Sequence, residues 1–162
     1  MQKINLSINY SEFDTIDELE KDDQELLKAA EESVSKAYAP YSKYYVGAAV
    51  RLENGEIISG CNQENVAYPS GLCAERVAIF YASSKYPEQN ILTVAVTAKA
   101  GEFVVETPVA PCGTCRQVMS EYQTKQKTPI KIIMKGETGK IRVVYKVDDI
   151  LPFMFHAEEL KK

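Results

Sequence analysis

Three cysteines and one glutamate carry the chemical potential of this sequence. Cys112-Gly113-Thr114-Cys115 directly follows Pro111. Proline favours the first turn of a helix, so this spacing brings two sulfurs together at a helix N-terminus. Thiolates are favoured there, because the free N–H groups and the positive end of the helix dipole lower a thiol's pKa, and a bound metal lowers it further. Cys73, with Glu75 two residues on, repeats the arrangement one helix earlier. If the two helices start side by side at one end of a sheet, three sulfurs can hold a tetrahedral Zn2+ and leave its fourth position to water. Glu75, in the same first turn as Cys73, is placed to take a proton from that water. Three thiolates leave such a centre with a net negative charge, which opposes the loss of that proton. A guanidinium donating to sulfur withdraws charge, and Arg76 and Arg116, each adjacent to this machinery, are candidates for that task.

Other uses of the same residues stay open on spacing alone. A Cys-x-x-Cys also serves redox and structural-zinc sites, and Cys61 is available as a fourth sulfur for a closed structural centre. Otherwise Cys61 is expected at the end of a strand as a small buried apolar residue. His156 is the only histidine. That rules against a multi-histidine metal site and a histidine general base, and surface or interface packing is the favoured role for that side chain.

The elements that must position these groups follow from periodicity. Residues 1–21, with Glu12, Asp14, Asp17, Glu18 and Glu20, show no clear amphipathic period and read as an acidic N-terminal extension to a single domain over residues 22–162. Leu26, Leu27, Ala30, Val34, Ala37 and Tyr38 recur at helical spacing up to Pro40. Residues 45–52 and 56–61 read as antiparallel strands joined at Asn54-Gly55, a type I′ hairpin signal. Residues 91–99, 130–134 and 141–147 read as three further strands, and 73–86 and 112–122 as helices between them. Asp148 or Asp149 would cap a short helix through Ile150 and Leu151. The sum is an α/β fold, a three-layer α/β/α sandwich around a mixed five-stranded sheet. Its ligand site is expected where strands give way to helices.

Composition narrows the partners. The 162 residues suit one domain with its own core. The basic residues, 19 Lys and Arg against 23 Asp and Glu, are scattered, which argues against binding a polyanion. No basic leader with an apolar core and no membrane-length stretch is apparent, so a soluble, cytoplasmic protein acting on a small molecule is expected, with neither nucleic acid nor membrane as partner.

Together these residues resemble the cytidine deaminase family in its short, three-cysteine form. The likeness rests on Cys73-Ala74-Glu75-Arg76 and Pro111-Cys112-Gly113-Thr114-Cys115-Arg116-Gln117-Val118. It extends through Tyr38-Ala39-Pro40-Tyr41-Ser42, Val46-Gly47-Ala48-Ala49, the segment 60–69 and Leu151-Pro152 before Phe155. The resemblance implies one Zn2+ per subunit on Cys73, Cys112 and Cys115, with Glu75 moving protons in the hydrolytic deamination of cytidine and 2'-deoxycytidine. It implies that Asn62 and Glu64 hydrogen-bond the ribose 3′-hydroxyl, and that Tyr68 and Ala74 belong to the substrate contacts. Tyr44 stands where the family usually has a Phe ring against the pyrimidine, which keeps a stacking face and adds a hydroxyl. The family's architecture implies a homotetramer with shared active sites, in which Phe155 reaches a neighbouring subunit's site. Phe153 and His156 replace commonly smaller residues beside it.

Overall fold

The computed structural model describes residues 1–156 and 160. The last part of the expected domain, residues 157–159 and 161–162, lies outside the described residues. Six strands form one sheet: β1 (Tyr10–Phe13), β2 (Tyr44–Leu52), β3 (Ile57–Cys61), β4 (Ile91–Ala100), β5 (Lys131–Lys135) and β6 (Ile141–Val144), in the order β1-β6-β5-β4-β2-β3. Helix α1 (Lys21–Val34) covers one face, and α2 (Ala74–Lys85) and α3 (Gly113–Gln126) cover the other. This is the expected three-layer α/β/α sandwich.

Strand periodicity explains the layering. Successive strand residues point to opposite faces, and both faces here are apolar. Val94, Val96, Ile132 and Met134 pack with Ala78, Ile79 and Met119 beneath α2 and α3. The alternate residues Ala95, Ile133 and Val143 pack with Leu26, Leu27 and Ala30 of α1. Two ion pairs from α1 to β5, Asp23 with Lys131 at 2.7 Å and Glu31 with Lys135 at 2.8 Å, fasten the first layer to the sheet.

The topology places the helix starts. Strands β3 and β4 both pair antiparallel with the central β2, so they run in the same direction and their C-terminal ends share one edge of the sheet. Helix α2 follows β3, and α3 follows β4 on its way to the parallel β5. Both helices therefore begin above the same edge, where β2 also begins, with Tyr44 opposite Ala100.

Several details differ from the sequence expectation. The sheet has six strands rather than five, because Tyr10–Phe13, within the stretch that reads as an extension, pairs antiparallel with Arg142 and its neighbours in β6. Helix α1 stops at Val34 instead of running to Pro40. Tyr38 is withdrawn from it because its N–H donates to the Asn62 carbonyl (3.0 Å) and its carbonyl accepts from the Glu64 N–H (2.8 Å). The β2–β3 hairpin forms, but Gly55 takes a positive φ of 86° while Asn54 does not, so the turn is not type I′. The Gly55 N–H donates to Leu52 across it, and Asn54 Oδ1 accepts from the Glu56 N–H. Near the C-terminus a single 3-10 turn occupies Val147–Asp149, preceded by Lys146, and Ile150 and Leu151 lie beyond it. Its acids are engaged elsewhere, Asp148 with Gln123 and Asp149 with Lys146.

One contact sets how closely α2 approaches the sheet. A Cβ on Gly60 of β3 would lie 2.6 Å from the Ala78 nitrogen and 2.8 Å from the Ala74 carbonyl oxygen, both backbone atoms. Because backbone cannot swing aside, Gly60→Ala is expected to lift the start of α2 and to cost about 1–3 kcal/mol of stability. Equilibrium urea denaturation of the two proteins measures this. An unchanged midpoint would show that α2 is not held by this contact.

Candidate active site

Cys73 and Cys112 are the N-cap residues of α2 and α3, both with extended backbone, and neither side chain caps its own helix. Both sulfurs are thereby left to point into the space between the helix ends. Cys115, in the first turn of α3, is fully buried beneath them. The three sulfurs lie within 4.8 Å of one another, with Cys73 and Cys112 separated by 3.8 Å. Tetrahedral zinc with Zn–S bonds of about 2.3 Å requires sulfurs about 3.8 Å apart. The donor set therefore fits a single zinc ion, with soft ligands at the right spacing. Cys61 is not part of the cluster; it is half-buried and accepts a hydrogen bond from Gln63 Nε2 at 3.3 Å. Among the described residues no fourth sulfur, histidine or carboxylate joins the three.

The electrostatics follow from this crowding. A hydrogen bond from Cys115, together with Arg76 and the Cys112 thiol, outweighs burial and pulls the Cys73 thiol down to about 5. The Cys115 thiol is held up by its bond to Cys73 and by burial. Arg76 Nη2 lies 3.7 Å from Cys73 Sγ and 3.4 Å from the Gly71 carbonyl, which is the sulfur-directed guanidinium expected from the sequence. Arg116 is used differently. Its Nε donates to the Pro111 carbonyl (2.7 Å) and its Nη1 to the Ile150 carbonyl (2.8 Å), tying the strand-to-helix loop before Cys112 to the C-terminal segment. The Glu75 side chain is only 4% exposed. Burial, aided by the charge of Cys73, pushes its carboxyl above the usual range, against the opposing pull of its own N–H, Cys115 and Arg76.

A cleft of about 690 Å³ opens above this cluster, with Cys73, Glu75, Arg76 and Cys112 among the groups lining it. Tyr44, Asn62, Glu64 and Tyr68 line it as well, so the structure brings these candidates together. Asn62 brackets the start of β2, accepting from the Val46 N–H (2.8 Å) and donating to the Tyr44 carbonyl (2.9 Å). Burial raises the Glu64 carboxyl, but hydrogen bonds from the Ser42 hydroxyl and the Tyr41 and Ser42 N–H groups prevail and leave it below its usual range. The Tyr44 ring leans against Phe103, with centroids 6.4 Å apart. Ala74 is buried in the first turn of α2, between a sulfur ligand and Glu75. Phe155 does not reach the cleft of its own chain; its ring is exposed and its carbonyl accepts from Gln117 Nε2. Phe153 and His156 are likewise exposed.

Sequence reasoning passed over several groups that line the cleft. Tyr41 stacks edge-on to Tyr68 at 6.2 Å, and Val109 and Ala110 also line the cleft. The signal for Tyr41 was its place beside Pro40 in a segment that already carried the resemblance. For Val109 and Ala110 the only signal was their position just before Pro111-Cys112.

Two sulfur-bearing helix starts sharing one cleft with a buried carboxylate define a metal-dependent hydrolytic centre. Residues 20–129 match the family described as the cytidine and deoxycytidylate deaminase zinc-binding region. The chain is 37% identical over 139 residues to a cytidine deaminase of Halalkalibacterium halodurans, covering 86% of this chain and 98% of that one. It is 30% identical over 139 residues to a blasticidin-S deaminase of Bacillus cereus, covering 85% and 94%. The crystal structure of a cytidine deaminase from Burkholderia pseudomallei superposes with a TM-score of 0.70 at 37% identity, covering 81% of this chain and 97% of that one. The chain belongs to the cytidine and deoxycytidylate deaminase family. It is a hydrolytic deaminase, and Cys73, Cys112 and Cys115 are its zinc site.

The thiol chemistry has a direct test. In protein stripped of metal, iodoacetamide is expected to modify Cys73 at pH 6–7, above its pKa of about 5, while Cys115 is spared. Removing the guanidinium with Arg76→Gln should slow the Cys73 reaction. Zinc should protect all three sulfurs. Mass spectrometry of the alkylated peptides reads each site, and equal labelling of Cys73 and Cys115 would contradict the assigned order.

Proposed function

We propose that the protein deaminates the free nucleosides cytidine and 2'-deoxycytidine to uridine and 2'-deoxyuridine with release of ammonia. This is a cytoplasmic step of pyrimidine salvage, carried by residues 22–162. The observation that carries this reading is the buried Glu75 carboxyl, placed beside the three zinc-binding sulfurs at a cleft with room for a nucleoside. When bound, zinc supplies Lewis-acid activation of the attacking water.

Glu75 accepts a proton from that water as its oxygen attacks C4 of the cytosine ring, and delivers the proton to N3. It then carries the second proton to the exocyclic amine, the C4–N bond breaks, and ammonia leaves with a C4 carbonyl behind. A carboxyl raised by burial suits both transfers, because it takes a proton from water more readily than an exposed carboxylate and can still pass that proton on to nitrogen. Tyr44 offers its ring to the pyrimidine. Asn62 and Glu64 hold the sugar, with Tyr68 and the buried Ala74 completing the contacts. The Glu64 charge disfavours a phosphate, so nucleosides are preferred over nucleotides.

The subunits assemble as a homotetramer with shared sites. The exposed rings of Phe153 and Phe155 support an intermolecular contact at that end of the chain. The 30% identity to a blasticidin-S deaminase supports a second reading, in which a modified cytosine nucleoside is the preferred substrate.

Glu75→Gln is expected to keep its zinc and to lose about 10²–10⁴-fold in kcat. Metal analysis and the ultraviolet change on mixing with cytidine check this together. Turnover near that of the native protein would remove Glu75 from the proton path. Conversion of blasticidin S without conversion of cytidine or 2'-deoxycytidine would establish the second reading. Glu64→Ala should lower kcat/KM for both nucleosides by about 10–100-fold, through loss of a hydrogen bond to a charged group. Steady-state kinetics would refute the sugar contact if kcat/KM were unchanged.

A further inference from the structure

We propose that residues 1–13 form an isologous strand-pairing arm, through which two copies of this chain join along the open edge of β1. The arm alternates strictly: Ile4, Leu6, Ile8 and Tyr10 are apolar, and Asn5, Ser7, Asn9 and Ser11 are polar. That period is the pattern of a half-buried strand. Yet the four apolar side chains are 84%, 66%, 48% and 51% exposed in the single chain. They lie ahead of the family match, which begins at residue 20.

The arm runs straight into β1, an edge strand that pairs with β6 on one side only. Among the described residues, Tyr10–Phe13 makes no backbone hydrogen bond on its other side. An open edge next to an alternating apolar strand is a template for adding another strand.

A second copy is the occupant because the sequence is complementary to itself. A two-fold contact must pair residue i with j and j with i. With the axis at Ser7, antiparallel pairing sets Leu6 against Ile8 and Ile4 against Tyr10, apolar against apolar on one face. The same register sets Asn5 against Asn9, Lys3 against Ser11 and Gln2 against Glu12, polar against polar. The first residues of each arm then lie on the open edge of the other copy's β1, continuing both sheets. Moving the axis one residue, to Ile8, sets Ile4 against the charged Glu12 and loses this match. Residues 1–9 carry no acid, so two arms meet without carboxylate repulsion.

Cysteine scanning tests both the pairing and its register, in zinc-replete protein carrying Cys61→Ser. Ser7→Cys faces its own symmetry mate, within the Cα separation of about 7 Å that a disulfide tolerates. Asn5→Cys faces Asn9 of the other copy, so two such cysteines lie four residues apart along the ladder, roughly 13 Å. Mild oxidation should give a covalent dimer from Ser7→Cys at least about tenfold faster than from Asn5→Cys, and the Asn5→Cys, Asn9→Cys double variant should recover the fast rate. Non-reducing electrophoresis reads all three. Equal rates for the two single variants, or no dimer from Ser7→Cys, would overturn the proposal, and retained zinc in each protein confirms that the fold is intact.

Discussion

Three sulfurs within 4.8 Å of one another cannot all carry charge unless a cation sits among them. Like charges at that distance repel strongly where water is scarce, and the site responds by splitting its protons: the Cys73 thiol is pulled down and the Cys115 thiol held up. A dication removes the conflict, because it favours the thiolate form of every ligand at once. Much of the surrounding structure is arranged about this charge problem. The N-termini of α2 and α3 supply partial positive charge from two directions, and Arg76 adds a full one from the side. Glu75 sits in this field but is governed by its surroundings. Burial first, and the charge of Cys73 after it, hold its proton more tightly than a carboxyl in water would, while Arg76 pulls the other way.

The field depends in turn on two helices starting side by side, and the sheet supplies that spacing. Strands β3 and β4 lie on either side of β2, two strand spacings apart, or about 9.6 Å. Helices pack 8–10 Å apart. The helices that follow these strands can therefore begin in contact without bending away from the sheet. Small residues let α2 come close enough to use this match: Gly60 in β3 meets Ala74 and Ala78 of α2 backbone to backbone. A side chain there would displace the helix carrying Cys73 and Glu75, and with it one corner of the sulfur triangle.

Legibility in the sequence followed the range of the interactions concerned. The sulfur cluster, Glu75 and the three-layer sandwich were readable because each rests on local pattern: a Cys at a helix start, a strand alternating between two buried faces. The place of Arg76 was readable for the same reason, being three residues from Cys73 on one helix turn. Arg116 was not, because its partners include the Ile150 carbonyl, 34 residues away, and nothing in the neighbouring sequence marks that contact. The end of α1 was missed because Tyr38 obeys helical spacing yet pairs with residues 62–64, a tertiary contact that outcompetes one more turn of helix. Strand β1 was missed because the acids around Glu12 hide its alternation. Glu12 is tolerated there because Arg142, its cross-strand partner, lies 2.8 Å away.

The polar groups of the cleft show how a site can be rigid before its ligand arrives and still have capacity to bind it. Asn62 spends one acceptor site on the Val46 N–H and one amide hydrogen on the Tyr44 carbonyl, which leaves it a free N–H. Glu64 takes three donors, two N–H groups and the Ser42 hydroxyl, of the roughly four that a carboxylate can accept. One donor and one acceptor are thus left over, on side chains already locked to β2 and to the loop that precedes it. A sugar hydroxyl offers the complementary pair, donating one hydrogen bond and accepting another. Because the locking bonds need not break, such a ligand meets two oriented groups and little of its binding energy goes into ordering them. The same bonds connect that wall to the start of β2, where Tyr44 faces the cleft, so the proposed sugar and base contacts share one rigid support.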